Sequence, residues 1–175
     1  MTVCRAGAAG VAAAEAEDGA GAGAETDGAG RAAVVDPLAL EAQVCFALSV
    51  ASRSVVAAYR PVLEPLGLTH PQYLVMLALW ERCPLSIRDL AGLLRLDPGT
   101  LSPLVKRLEA QGLVTRGRDP RDERVLAVVL TPEGRALRAE AESIPERMTR
   151  RLDVTRDELV VLHRTMAKLI AAAEG

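Results

Sequence analysis

Apolar side chains recur at every third or fourth position through most of the chain after residue 36, which is the spacing of amphipathic helices. Four such segments precede residue 113. Each begins near a capping or proline signal and ends near a proline or glycine. Their predicted bounds are 37–60, 70–82, 87–95 and 99–111.

After Gly112 the pattern changes to β-type runs. The segments LVTRGR and RVLAVVL flank the polar loop DPRDE, and together they predict a hairpin. Thr131 and Pro132 begin a further helix, and a capping box at Thr155 begins the last one, over 156–173. This order is the layout of a winged helix-turn-helix protein. The predicted fold is mainly α with a small β wing, and N- and C-terminal helices serve dimerisation.

Composition separates the first 36 residues from the rest. Residues 1–36 are rich in Ala and Gly and are predicted to be a disordered acidic tail. Residues 37–175 are predicted to be the folded domain, with 37–66 and 132–175 for dimerisation and 70–130 for DNA binding. The tail holds two arginines and six acidic residues, a net charge of −4, so the whole-chain charge of −2 leaves +2 for the folded part.

The chain shows no secretory signal and no run of about 18 apolar residues, so no membrane association is expected. Cys4, Cys45 and Cys83 are odd in number and widely spaced. They therefore form neither a disulfide framework nor a metal-ligand pattern. The expected location is a reducing cytoplasm, and no cofactor is expected.

The fourth predicted helix combines an apolar face with a polar one suited to DNA. Its apolar face runs from Leu101 to Leu108 at helical spacing. The exposed face carries Thr100, Ser102, Lys106 and Arg107. Hydroxyl groups suit base edges in a major groove, and cations suit phosphates. Taken alone, the helix also fits a solvated charged surface.

The predicted wing is rich in arginine. Its arginines are Arg116, Arg118, Arg121 and Arg124. An interleaved carboxylate such as Asp122 can hold an arginine extended, so that its guanidinium enters a narrow minor groove. A salt-bridged turn, or a winged helix used only for protein contacts, is the alternative. Helix and wing together favour binding to double-stranded DNA.

Several blocks of the chain resemble a known family. The segment GTLSPLVKRLEAQGLVTRGRDPRDER closely resembles the MarR family of transcriptional regulators. The segments CFALSVASR, YRPVLEPLGLTHPQYLVMLALWE and LDPGTLSPLVKRLE resemble its organic-hydroperoxide-sensing branch, OhrR. The resemblance covers about residues 37–150. It implies a homodimer held by the first and last helices, which represses a peroxide-detoxifying gene until a reactive cysteine is oxidised.

Cys45 shares a stripe of the first predicted helix with Leu38, Ser52 and Tyr59, at intervals of seven residues. Fourteen residues correspond to about 21 Å along a helix axis, so Cys45 and Tyr59 cannot touch within one chain. If two copies of the helix cross antiparallel near Ser52, Cys45 of one chain faces Tyr59 of the other. The free N–H groups at the start of the second helix, near His70, would stabilise a thiolate placed there.

The resemblance implies that Cys45 is a redox sensor. OhrR proteins surround the reactive cysteine with two tyrosines from the partner chain. By this match Tyr59 fills the first position, and His70 fills the second, because this chain reads THPQY where the family has TYPQY. An organic hydroperoxide would oxidise the thiolate to a sulfenic acid. No cysteine follows Cys83, so the expected product is a mixed disulfide between Cys45 and a low-molecular-weight thiol.

The sequence leaves a second regulatory function open. A MarR-type repressor released by a small aromatic or phenolic ligand would use Cys45 only as core filler. A peroxidase would need groups that stabilise the leaving oxygen and a turnover partner, and no such motif is present, so no enzyme is expected. The preferred interpretation is a sequence-specific DNA-binding repressor that loses DNA affinity when Cys45 is oxidised.

Overall fold

The computed structural model describes residues 36–119 and 122–174. Its helices are α1 (Val44–Leu63), α2 (His70–Arg82), α3 (Ile87–Leu94), α4 (Pro98–Ala110), α5 (Pro132–Ala141), α6 (Ile144–Arg151) and α7 (Arg156–Glu174). Short 3-10 turns cover Leu40–Ala42 and Glu64–Leu66. The strands β1 (Leu85–Ser86), β2 (Val114–Asp119) and β3 (Asp122–Leu130) form an antiparallel sheet in the order β1-β3-β2. The predicted tail up to residue 35, with Cys4, and Arg121 in the wing lie outside the described residues.

The core lies where α2, α3 and α4 pack together against the sheet. Side chains with no exposed surface come from all of these elements: Val75, Met76, Leu79, Leu90, Leu101, Val105, Leu108, Val114 and Val128. This is a helix-turn-helix with a β wing, and the predicted fold class is confirmed.

Capping side chains begin the helices where the sequence indicates. The Ser86 hydroxyl accepts from the backbone N–H of Asp89 at 3.0 Å, and the Asp97 carboxylate accepts from that of Thr100 at 3.0 Å. Thr131 does the same for Gly134 at 2.9 Å. Each hydrogen bond pairs a backbone N–H group that has no partner within the helix, and so fixes the residue at which α3, α4 and α5 begin.

The prediction of a first helix over 37–60 is wrong at both ends. The Gln43 side chain donates to the carbonyl oxygen of Pro37 at 2.6 Å, which holds the preceding segment in a turn, so α1 begins only at Val44. At the other end α1 continues through Pro61 to Leu63. A proline inside a helix removes one backbone hydrogen bond and crowds the carbonyl group four residues earlier. The two side chains that follow Pro61 are buried, which offsets that cost.

Two further features differ from the sequence prediction. Strand β1 is a two-residue addition to the hairpin, paired with β3 through Leu85 and Val128. The helix expected after Thr131 is two helices, because α5 ends at Ala141 and Pro145 lies in the first turn of α6. A proline suits the start of a helix because its missing N–H would be unpaired there.

The two ends of the described chain expose their apolar side chains. Helix α7 has no buried residue, and Val160, Val161 and Leu162 keep 60%, 52% and 52% of their surface exposed. On α1, Leu48 is 38% exposed and Val44 is 63% exposed. Over the described residues, no helix is long and apolar enough to cross a membrane.

Candidate nucleic-acid interface and cysteine site

Helix α4 presents the polar face that the sequence predicts. Leu101, Val105 and Leu108 are fully buried against the core, which fixes the rotation of the helix. The predicted DNA-facing residues all lie on the exposed side: Thr100, Ser102, Lys106 and Arg107. The helix therefore offers a continuous outward surface of hydroxyl and cationic groups.

The two hydroxyl groups on this surface already donate within the first turn of α4. Thr100 donates to the Asp97 carboxylate at 2.5 Å, and Ser102 donates to the carbonyl oxygen of Pro98 at 2.8 Å. The Thr100 hydrogen bond also lowers the pKa of Asp97. In this arrangement both hydroxyl protons are used within the protein, so Lys106 and Arg107 are the charged donors on this face of α4.

The wing is attached to α4 by an ion pair. The Arg116 guanidinium lies 2.6 Å from the Glu109 carboxylate, and the backbone N–H of Arg116 donates to the same carboxylate at 3.1 Å. The hydrogen bond from Arg116 lowers the pKa of Glu109. Arg116, predicted to contact DNA, is thus paired within the protein. Arg118 is exposed on β2, whereas the side chains of Asp122 and Arg124 lie outside the described residues.

Cys45 lies in the first turn of α1, as the second residue of the helix, and its side chain is exposed. Ser52 and Tyr59 share its helix and its stripe, as predicted. Leu38 does not, because it precedes the helix. The N–H groups of a first turn have no intrahelical partner, and they favour negative charge nearby.

Tyr59 and His70 come together in one chain. Their ring centroids are 5.0 Å apart and their planes are tilted by 56°. Tyr73 continues the row at 6.0 Å from Tyr59, and Trp80 lies 6.4 Å beyond Tyr73. Burial raises the pKa of Tyr59 and lowers that of His70. Burial within one chain therefore favours the neutral form of the His70 imidazole over its charged form.

Open grooves flank this aromatic row. One, of about 490 Å³, lies beside His70 and is lined by residues including Val56, Arg60 and Glu64. Another, of about 470 Å³, lies between α2 and α5–α6. Its lining combines the apolar Leu77 and Trp80 with one cation, Arg138, and two carboxylates, Glu81 and Glu142.

Three residues that connect the site elements were not predicted from the sequence. Glu109 forms an ion pair with Arg116. The two opposite charges stand on either side of the turn at Gly112, which could have indicated this pair from the sequence. Gln72 and Gln111 join α2 to α4 through their amide groups at 3.0 Å. Gln72 stands three residues after the N-cap Thr69, which is the Gln position of a capping box. No local signal marks Gln111 as its partner.

The MarR family model matches residues 68–126. A relative in Bacillus subtilis, described as an organic hydroperoxide resistance transcriptional regulator, is 44% identical over 110 residues, which cover 63% of this chain and 75% of the relative. The HTH-type transcriptional regulator TtmR of Methylorubrum extorquens is 42% identical over 134 residues, which cover 77% of this chain and 69% of TtmR.

Solved structures agree with these relatives. Reduced AbfR bound to DNA superimposes with a TM-score of 0.63 at 31% identity, covering 78% of this chain and 95% of AbfR. CouR from Rhodococcus jostii RHA1, bound to p-coumaroyl-CoA, superimposes with a TM-score of 0.67 at 32% identity, covering 77% of this chain and 95% of CouR. The family and these relatives are transcriptional regulators and not enzymes. The chain belongs to the MarR family of DNA-binding transcriptional regulators.

Proposed function

We propose that this regulator is a cytoplasmic homodimeric repressor that releases double-stranded DNA when an organic hydroperoxide oxidises Cys45. The observation that carries the proposal is that Cys45 and the aromatic pair expected to surround it lie far apart within one chain. Tyr59 and His70 form a half-buried aromatic pair, whereas Cys45 is exposed near the opposite end of the same helix.

A second copy of the chain would complete this sensor. Cys45 and Tyr59 are fourteen positions apart on α1, or about 21 Å along its axis. An antiparallel crossing of two α1 helices near Ser52 places each Cys45 opposite the Tyr59–His70 pair of the other copy. The exposed apolar side chains of α1 and α7 supply the surface that such a dimer would bury.

The chemistry requires only the thiolate and the oxidant. The thiolate sulfur attacks one peroxide oxygen, the O–O bond breaks, and the hydroperoxide proton leaves with the alkoxide as an alcohol. The sulfenate left on Cys45 takes a proton from water to become a sulfenic acid. A low-molecular-weight thiol then condenses with the sulfenic acid, water leaves, and a mixed disulfide remains. The added group is larger and more polar than a thiol, so it would force apart residues packed against it in the dimer.

The comparisons support this branch of the family. The Bacillus subtilis relative is described as an organic hydroperoxide resistance regulator. Its 44% identity with this chain makes a related signal the first expectation. AbfR is bound to DNA both in its reduced form and in an overoxidised form, so it supports DNA binding by this winged helix, and release has to be tested in this chain itself.

DNA contact is assigned to α4 and the wing. In this proposal α4 enters the major groove with Thr100, Ser102, Lys106 and Arg107 facing the DNA. The wing reaches the minor groove through Arg118, Arg121 and Arg124, with Asp122 holding an arginine in place. Arg116 contributes by fixing the wing against Glu109.

A DNA-release assay tests the sensor. A DNA duplex that the wild-type protein binds is first identified by selection from random sequences. One equivalent of cumene hydroperoxide is added to the complex, and intact-mass spectrometry measures the oxidation of the cysteine. We expect oxygen addition at Cys45 and loss of DNA binding in the wild type, DNA retention in Cys45→Ser, and normal release in the matched control Cys83→Ser. Release of Cys45→Ser at the wild-type dose would reject Cys45 as the sensor.

The groove between α2 and α5–α6 favours a second candidate function, release by an aromatic acid. Its apolar wall suits a planar ring, and Arg138 is the one cation in the lining that can pair with a carboxylate, beside Glu81 and Glu142. CouR, which has a similar fold, is bound to p-coumaroyl-CoA. Under this alternative, p-coumarate or salicylate releases DNA equally from wild type and Cys45→Ser, and Arg138→Ala weakens the effect.

A further inference from the structure

Gln72 is a polar residue in the first turn of α2 whose side chain lies in the core, with 4% of its surface exposed. Its amide oxygen accepts from the backbone N–H of Thr69 at 2.9 Å and from the Thr69 hydroxyl at 2.8 Å. Its amide nitrogen donates to the side-chain oxygen of Gln111 at 3.0 Å. Because an unpaired buried amide is costly, Gln72 depends on both partners.

Gln111 is the residue directly after α4, where it caps the helix. Its amide nitrogen donates to the carbonyl oxygen of Gly67 at 2.8 Å. The two glutamines therefore tie the segment from Gly67 to Thr69, and the first turn of α2, to the C-terminal end of α4. A shift of α4 relative to α2 has to stretch or break these hydrogen bonds.

The same turn of α2 carries His70. This residue follows Thr69 directly, and its ring packs on Tyr59. We propose that the Gln72–Gln111 hydrogen bond couples the oxidation state of Cys45 to the position of α4. The inference rests on the proposed function, because it takes Tyr59 and His70 as the groups that face Cys45 of the partner copy.

The coupling has a defined order of contacts. A bulkier, oxidised sulfur displaces His70, and the turn between Thr69 and Gln72 then moves with it. The hydrogen bond between Gln72 and Gln111 then breaks, and the C-terminal end of α4 is free to move. Gln111 is in this account a positioning residue for DNA binding and makes no DNA contact itself.

A second contact determines what moves with α4. Glu109 precedes Gln111 by two residues and pairs with Arg116 on β2. When the Gln72–Gln111 bond opens, the Glu109–Arg116 pair still holds the wing to α4. Helix and wing would then leave their DNA-binding position as one unit, so a small displacement at His70 affects both grooves.

The test compares the Kd for a selected DNA duplex before and after Cys45 is oxidised by cumene hydroperoxide, with oxidation verified by intact mass. Gln111→Met keeps the length of the side chain and removes its amide group. Gln111→Asn keeps the amide group but shortens the side chain, so that it cannot reach Gln72. In both variants we expect Cys45 to oxidise normally. The reduced Kd should rise toward the oxidised wild-type value, so that the ratio of oxidised to reduced Kd falls at least about fivefold below wild type. The control Glu109→Gln loosens the wing and weakens binding in both redox states by the same factor.

Each contrary outcome has a separate meaning. An unchanged ratio in the Gln111 variants overturns the coupling and leaves the proposed sensor intact. A ratio that stays at the wild-type value while both Kd values rise together also overturns it, since the glutamine is then only structural. Wild type that is oxidised at Cys45 but keeps its DNA affinity contradicts the proposed function and this inference together.

Discussion

The winged-helix core and the two terminal helices, α1 and α7, differ in how far their apolar side chains are buried. In the core, Leu79, Leu101 and Leu108 have no exposed surface. On α7, Leu162 keeps 52% exposed and no residue of the helix is buried. The core therefore buries its apolar surface within one chain, whereas the ends leave theirs exposed. Cys45 lies on the second kind of surface, and in the proposed function a second copy brings it to the Tyr59–His70 pair.

The largest expected effect comes from placing a charge on the exposed apolar ends. Leu48→Asp or Leu162→Asp should give monomeric or insoluble protein, since an unpaired charge buried in a dimer costs roughly 3–5 kcal/mol. The matched control is Leu93→Asp, at a side chain on α3 that is 42% exposed. Analytical ultracentrifugation at micromolar concentration distinguishes them. A stable wild-type monomer would remove the basis of the cross-subunit sensor.

A smaller effect is expected when a core side chain is shortened. Leu108→Ala should lower the free energy of unfolding by about 2–5 kcal/mol, because it removes buried methyl groups and leaves a cavity. Leu93→Ala should change it by about 0.5 kcal/mol or less, as expected for a surface site. Urea titration measures both. Equal losses of unfolding free energy in the two variants would contradict the difference in burial between Leu108 and Leu93.

The core helices and α7, predicted over 156–173 and observed over Arg156–Glu174, were largely predictable, whereas the bounds of α1 were not, for physical reasons visible at particular residues. Ser86, Asp97 and Thr131 make local capping bonds, so the sequence alone indicated where α3, α4 and α5 begin. The start of α1 depends instead on Gln43 reaching back to Pro37. No pattern of apolar spacing reports such a contact.

The same distinction holds for the candidate site. The outward face of α4 follows from helical spacing, so its residues were predicted together. The meeting of His70 with Tyr59 required the α1–α2 packing, and the link between Gln72 and Gln111 spans 39 residues. Long-range polar pairs depend on tertiary geometry, which one sequence does not encode in a local signal.

The next effect concerns DNA affinity without a change in the fold. Arg124→Ala should weaken binding to selected DNA by about 1–3 kcal/mol, the scale of a good groove contact. The melting temperature should stay at the wild-type value. Fluorescence anisotropy over a salt series gives the affinity, with Arg164→Ala on exposed α7 as the charge-matched control. Equal affinity in folded Arg124→Ala and wild type would exclude the wing contact.

The smallest effects are expected at the aromatic pair. Tyr59→Phe removes one hydrogen-bonding group, worth about 0.5–1.5 kcal/mol, and should change the rate of Cys45 oxidation with little change in folding. Stopped-flow measurement with cumene hydroperoxide gives this rate, and Tyr73→Phe, one ring further along the row, is the comparison. The same rate in Tyr59→Phe as in wild type would argue against contact with the sulfur.

His70 adds a pH dependence with a definite direction. Burial lowers the pKa of His70 below 6.5. Its neutral form prevails at neutral pH, and stability linked to His70 is complete above pH 6.5 and decreases as the pH falls below it. Tyr59 on α1 and, around the adjoining groove, Arg60 and Glu64 are the titratable neighbours. The oxidation rate should show an inflection below pH 6.5 that His70→Tyr abolishes. An inflection that persists in His70→Tyr would assign it to another group.

The central claim is that Cys45 of one copy faces Tyr59 of the other, and disulfide trapping tests it most directly. Tyr59→Cys is combined with Cys4→Ser and Cys83→Ser, so that residues 45 and 59 hold the only thiols. Under mild oxidation with diamide, we predict a disulfide-linked dimer on non-reducing gels, with Cys45 joined to position 59 by peptide mapping. Adding Cys45→Ser should abolish this species. A soluble dimer that forms no such disulfide would contradict the claim.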